Sequence, residues 1–149
     1  MTGMQQNNPY ATPQASGVEA ESSVSDELIA TLPVSDKWKQ RFSAIHHAGG
    51  IKMPKFKQLP AEERRKAFSF NFLAFLFGPI YYAIKGMWKK GLALFLLCAV
   101  VVISLASGLE YLGYGKFANA LGYGISAVFA TRANIDYYKK MLLNDNGWW

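Results

Sequence analysis

The chain has a single cysteine, Cys98, and from Phe68 to Leu109 it has no aspartate, glutamate or histidine. Each absence excludes something. One thiol forms neither an intramolecular disulfide nor a CxxC redox pair, and amid apolar neighbours Cys98 reads as a small core residue. A stretch without acid or imidazole lacks the side chains that usually carry acid–base catalysis, or ion and proton passage through an apolar segment. The first ten residues, MTGMQQNNPY, have neither a basic nor an apolar region, so no cleavable signal peptide is expected. There is no Walker-type loop or dinucleotide fingerprint. His46 and His47 are sequence neighbours that point apart on a helix, with no further ligands at metal-binding spacing. Ser104 and Ser107 lie in apolar sequence without an activating base. No catalytic residue, metal site or cofactor is therefore expected.

What the chain does have is apolar sequence concentrated between residues 68 and 130. Gly91 to Leu109 is an uncharged run of 19 residues, close to the ~20 needed to cross a hydrocarbon core of ~30 Å. Phe68 to Ile84 has 17 residues and is broken by Gly78-Pro79. Proline there removes an N–H and crowds the preceding turn, while Asn71 is placed to cap a short helix before the break. A kinked crossing and a dip that returns on the same side both fit. Residues 114–131 form a short, glycine-rich third segment. In it Ala118, Gly122, Ser126 and Ala130 recur every fourth residue, a small-residue stripe that lets helices approach closely in lipid. Ser104 and Gly108 offer the preceding helix a matching patch.

The charges decide the arrangement. Residues 1–30 carry four acids and no base, and residues 35–66 carry nine bases against three acids. If all three apolar segments cross, ten bases lie on one side and six on the other. If the first segment dips and returns, fifteen lie inside and Lys116 alone outside. The positive-inside bias favours the second arrangement. The expected fold is therefore an all-α integral membrane protein. It has a hairpin of two transmembrane helices (91–109 and 114–131), a kinked re-entrant or interfacial segment (68–84) and a basic amphipathic N-terminal helical region (26–66). A polar, disordered tail is expected over 1–25 and a short tail over 141–149, with both termini cytoplasmic.

Finer signals place the remaining elements. A short helix begins at Ser25-Asp26 and ends before Pro33. Ser35 is placed to cap a second helix that stops at Gly49-Gly50, and Trp38, Phe42 and Ile45 share its apolar face. That face fits either a lipid interface or the rest of the protein. Ile51 to Lys57 reads as an extended connector, and Pro60 opens another helix. Arg64, Arg65, Lys66, Lys85, Lys89, Lys90 and Trp88 are expected at the lipid interface, where each basic residue contributes about 1 kcal/mol on anionic lipid. Tyr81, Tyr82, Trp88, Tyr137, Tyr138, Trp148 and Trp149 are read as interfacial anchors, and Arg132–Asp136 as an exposed i,i+4 pair worth a few tenths of a kcal/mol.

Phe70-Asn71, Phe75, Phe77-Gly78-Pro79, Tyr81-Tyr82, Lys85, Met87-Trp88 and Lys90 together resemble the core of DUF2628, a family of small bacterial inner-membrane proteins. Leu59, Glu63, Arg64 and Phe68 before it fit the same pattern, as do Asn134, Tyr137-Tyr138 and Lys139-Lys140 after it. The resemblance covers about residues 59 to 140. It implies a bacterial membrane protein and brings no activity, substrate or catalytic residue. The functional expectation is a non-enzymatic inner-membrane protein acting through protein–protein contact, as an accessory subunit or an immunity-type protein. Trp38, Phe42, Ile45, Asn71, Gly78, Pro79, Tyr81 and Tyr82 would form its contact surface. The expected partners are membrane lipid, a membrane or cytoplasmic protein and further copies of the chain. Nucleic acid is not expected, because the membrane accounts for the basic charge and no recognition motif is present. The alternative is a small channel or transporter component.

Overall fold

The computed structural model describes residues 25–149, so the polar tail expected before them lies outside the described residues. Among the described residues the structure is helical, with no strand. Residues 25–31 form α1. It is followed by α2 (Asp36–His47), α3 (Ala61–Ala67), α4 (Phe72–Phe77), α5 (Pro79–Ile84), α6 (Trp88–Tyr111) and α7 (Ala118–Leu142).

Helix α6 is longer than the uncharged run by three residues at its start and two at its end. Among the described residues it is the one helix long and apolar enough to cross a membrane, with 6 % of its most apolar window buried. Helix α7 runs antiparallel beside it. It starts at Ala118 rather than near Tyr114, because Gly113 to Phe117 are spent on the turn. There the Tyr114 N–H donates to the Leu109 carbonyl at 2.7 Å, and a 3₁₀ turn covers Gly115–Phe117. Its uncharged part, residues 118–131, therefore spans only about 21 Å at 1.5 Å per residue. Its remaining turns carry Arg132, Asp136, Lys139 and Lys140.

Helices α4 and α5 have six residues each and form a V. The Asn71 side chain caps α4 by accepting from the Ala74 N–H at 3.1 Å. At Gly78 the backbone turns through φ 45°, ψ −118°, left-handed space that favours glycine, and Pro79 opens α5. Contacts along α7 define the depth of the V. The Asn71 N–H donates to the Ala130 carbonyl at 3.1 Å. The tip, Phe77 to Pro79, sits in a hollow with Gly122, Ser126 and Phe129. Tyr82 then reaches Asp136, and the Lys140 ammonium donates to the Lys85 carbonyl. Both arms thus begin and end beside residues 130–140 of α7, and the tip reaches more than half of the way along it from that end. Close approach of α5 to α6 requires Gly91, since a Cβ there would lie 2.6 Å from Tyr82 Cβ.

Helices α1 to α3 cap the open end of the V. Phe42 and Ile45 of α2 are fully buried. Phe42 and Trp38 pack on Tyr137, and the Trp38–Tyr137 ring centroids are 4.7 Å apart. Of the two faces open to α2, the one realised is packing against the protein. The connector after it is not extended: residues Gly50–Lys52 and Phe56–Gln58 are 3₁₀ turns. His47 ties the cap together, with Nε2 2.9 Å from Asp26 Oδ2 and Nδ1 3.2 Å from Glu63 Oε2. Burial lowers the His47 pKa, but the two carboxylates outweigh it and hold it above its ordinary value. For Asp26 burial works upward, and the hydrogen bonds from His47 and Ser43 outweigh it, leaving the carboxyl below its ordinary value.

The signs give a window for this clamp. The His47 contribution is full below pH ~6.5 and is lost as pH rises through the raised folded pKa. The Asp26 contribution is full above pH ~4 and is lost as pH falls through the lowered one. Both pairs touch solvent, so each contributes at most about 1 kcal/mol. Hydrogen exchange of residues 25–31, once divided by the base-catalysed intrinsic amide rate, is expected to be slowest near pH 5–6 and to accelerate toward pH 8. His47→Gln should abolish the alkaline acceleration; an unchanged profile in that variant would remove the clamp.

Candidate functional site

The arms of the V meet α7 in a buried polar knot. Asn71 Nδ2 donates to Tyr81 Oη at 2.9 Å and to Asn134 Oδ1 at 3.0 Å. Asn134 Nδ2 donates to the Ser69 carbonyl at 2.6 Å and to Ser69 Oγ at 2.9 Å. Asn71, Tyr81 and Asn134 are all buried. An amide is expensive to bury unpaired; here each has its partners.

Two residues further along α7 the carboxylate of Asp136 is also buried. Tyr82 Oη donates to its Oδ2 at 2.8 Å, while its Oδ1 has no hydrogen-bond partner among the described residues. Arg132 approaches Oδ2 with Nε at 3.7 Å, beyond hydrogen-bond distance. The pair expected on the surface is therefore a half-buried one, because Tyr82 covers Asp136. Beyond it the last residues fold back. Asp145 Oδ2 lies 3.4 Å from Lys90 Nζ and 3.2 Å from Lys139 Nζ. The Gly147 N–H and the Lys139 ammonium draw the Asp145 carboxyl down to about 2. Trp148 meets Trp88 edge to face at 5.7 Å, and the Arg132 guanidinium lies 5.0 Å over the Trp149 ring.

Several expected roles change. Phe42, Ile45, Asn71, Gly78, Tyr81 and Tyr82 are buried, so they form internal core rather than a contact surface; Trp38 and Pro79 remain partly accessible. The four tyrosines read as interfacial anchors are likewise buried, because α2, α5 and α7 close over them. Lys90 does not turn its ammonium outward, since it is buried against Asp145. Lys85 is partly buried, its ammonium 5.2 Å from the Trp38 ring and 4.7 Å from Tyr137. Arg64, Arg65, Lys66, Lys89 and Trp88 stay accessible, and Arg64 and Arg65 border a hollow with Phe56 and Phe68.

The small-residue stripe does not seat α6. Gly122, Ser126 and Ala130 face the V, with Ala130 buried under Asn71, while Ser104 is exposed and a Cβ on Gly108 would meet nothing within 4 Å. Between α6 and α7 lies instead an apolar groove of about 470 Å³, lined by residues including Val101, Leu105, Leu121 and Gly124, with Arg132 and Trp149 at one end. Sequence reasoning gave no role to Ser69 or Asp145, and nothing local marks either. Asn134 entered through the resemblance alone, although it continues the four-residue stripe from Ala130.

The outer surface of the V is apolar. Phe72, Leu73, Leu76, Phe77, Ile80 and Ile84 are exposed, as are Phe95, Leu96, Val100 and Ile103 on α6. A contiguous apolar surface of this kind marks a membrane or protein contact. Among the described residues no three His, Cys, Asp or Glu side chains come together as metal ligands.

Comparison with known proteins adds the following. The family DUF2628, described as a protein of unknown function, matches residues 24–142, which takes in the cap helices as well as the V and the hairpin. A Salmonella typhimurium protein, uncharacterized protein YigF, is 30% identical over 125 residues, covering 77% of this chain and 90% of its own. Its Escherichia coli K12 counterpart of the same name is 29% identical over 132 residues, covering 84% and 98%. No solved structure matches the chain.

The knot makes a quantitative prediction. Asn71→Ala and Asn134→Ala each leave buried groups unpaired and should destabilise by about 1–3 kcal/mol. Because the two side chains bond each other, the double variant should cost less than their sum by about 0.5–3 kcal/mol. Denaturant titration in detergent measures all three; strict additivity would mean that the amides do not act as a unit.

Proposed function

The chain belongs to the DUF2628 family, and from that premise we propose that it is a non-enzymatic bacterial inner-membrane protein that works by protein–protein contact. In this reading α6 and the apolar part of α7 form a transmembrane hairpin. The V enters from the cytoplasmic side to roughly mid-depth and returns, and α1 to α3 stand as a cytoplasmic cap with both termini on that side.

The observation that carries the reading is the exposed apolar surface of the V and α6. In water each large side chain forgoes about 1.5–3 kcal/mol of burial, and lipid removes that cost. The irregular backbone at Gly78 is buried against Phe129, as non-helical chain at membrane depth requires. The bases support the orientation: Lys85, Lys139 and Lys140 lie at the end where α5 stops, α6 starts and α7 finishes, while Lys116 lies in the opposite turn. The uncharged part of α7 is short for a span, and Arg132 at its end is placed to reach toward the interface.

With Phe42, Ile45 and Tyr82 buried, the contact surface moves outward. Ile51, Lys52, Lys55 and Lys57 are exposed on the loop after α2, and Ile80 is exposed beside the tip of the V. The first suits a cytoplasmic partner and the second a membrane one, as in an accessory subunit or an immunity-type protein. The channel or transporter alternative draws on Asp136, whose half-partnered buried carboxylate is of the kind ion pathways use. The apolar turns of α6 and α7 continue that pathway with no ionisable residue.

Topology and partnership can be tested together. In a Cys98→Ser background, single cysteines at positions 89, 116 and 140 are exposed to a membrane-impermeant thiol reagent in spheroplasts. Only position 116 should react; outside labelling of 89 and 140 would overturn the arrangement. Photo-crosslinkers at Lys55 and Ile80, followed by affinity purification, should recover a distinct protein. Recovery of lipid and self-copies alone would overturn the contact function.

A further inference from the structure

We propose that the groove between α6 and α7 holds one acyl chain of an anionic glycerophospholipid, with the lipid phosphate on Arg132. The proposal rests on the membrane placement above and not on the identity of any protein partner.

Three features select the occupant. The first is the shape of the groove. It runs along α6 from Leu94 to Leu105, about 16 Å at 1.5 Å per residue, close to the ~15 Å depth of one leaflet's hydrocarbon. About 470 Å³ over that length leaves a cross-section of about 30 Å². A methylene chain fits such a channel; a helix about 10 Å across does not, which excludes a second copy docking there through a helix.

The second feature is polarity. Leu97, Val101, Leu121 and Val128 are typical of the lining, and Arg132 brings its one charged side chain. Apolar along its length and cationic at one end, the groove has the pattern of an amphiphile with an anionic head. Arg132 lies at the end that the orientation above places at the cytoplasmic interface, where headgroups are.

The third feature is the state of Arg132. Its guanidinium makes no hydrogen bond among the described residues: Nε stands 3.7 Å from Asp136, and the plane lies over Trp149. A planar fork of five donors suits a phosphate bidentately. Lys90, beside Arg132 and Trp149 at this corner, is engaged by Asp145, as is Lys139. Asp136 faces Arg132 but has Tyr82 as its hydrogen-bond donor. Among the described residues lining this corner, Arg132 is thus the cation whose donors are free: it faces Asp136 across 3.7 Å without a hydrogen bond, while Lys90 is held by Asp145.

The test uses the full chain, delipidated in mild detergent, with equal amounts of phosphatidylglycerol and phosphatidylcholine added and adducts read by native mass spectrometry. A one-lipid adduct is expected, favouring phosphatidylglycerol by about fivefold or more, the worth of one basic residue beside anionic lipid. Arg132→Gln should bring the two lipids to parity. Gly124→Phe should remove both adducts by filling the groove; a Cβ at Gly124 meets nothing within 4 Å, so the helix has room for the change. Equal adducts in the unaltered protein, or adducts indifferent to Gly124→Phe, would overturn the proposal, as would a doubled mass that excludes lipid. Sedimentation with membranes after an alkaline wash separates the two claims. Pelleting without lipid preference sinks the groove alone, whereas loss of pelleting sinks the membrane reading itself.

Discussion

Asn71 bonds neighbours on three helices from one position between the arms of the V. Its side chain caps α4, reaches Tyr81 on α5 and reaches Asn134 on α7, and its backbone N–H takes the Ala130 carbonyl. Two helices of six residues have little stability of their own, since a helix needs ~12–15 residues to be even marginal in isolation. What holds α4 and α5 is tertiary. The amide ties both arms to each other and to α7, and Tyr82 meets Phe129 edge to face with ring centroids 5.3 Å apart. The hairpin, the V and the cap all meet at this level of α7.

The same arrangement explains how a chain so apolar carries a buried polar layer. Asn134, Asp136, Lys90 and Asn71 are buried, and all lie near the end of the hairpin where the cap and the last residues cover them. Away from that end the surface turns apolar, on the V, on α6 and along the groove. Polar groups concentrated at one end and apolar groups at the other make the molecule amphipathic along the hairpin axis. That is the physical basis of the proposal that one end lies at a headgroup layer and the tip of the V within hydrocarbon.

Much of this was legible locally. The Gly78-Pro79 break, the Asn71 cap and the stop at Gly49-Gly50 are backbone chemistry, in which the residue type names the conformation. The length of α6 follows from an uninterrupted apolar run. The tyrosines were the misleading signal. Beside apolar segments a tyrosine serves equally as an interfacial anchor or as a buried ring with a satisfied hydroxyl, and composition does not separate the two. The small-residue stripe misled in the same way. Only Ala130 of that stripe packs closely, under Asn71, while Gly122 and Ser126 border the hollow at the tip of the V; periodicity carries no label for the partner, and the face turns to the V rather than to α6.

The sequence by itself determined that the chain is helical, where its helices break, that one of them is long and apolar enough for a membrane, and which family it resembles. These properties depend on neighbours within a few residues. Only the tertiary structure decided that the broken segment folds back on itself, that Lys90 and Asp136 are internal, and that Arg132 stands at the end of an apolar groove without a hydrogen bond among the described residues. Those facts depend on residues 50 to 65 positions apart, Asn71 with Asn134, Tyr82 with Asp136 and Lys90 with Asp145. Such pairings are set by how whole helices pack, which no local pattern encodes.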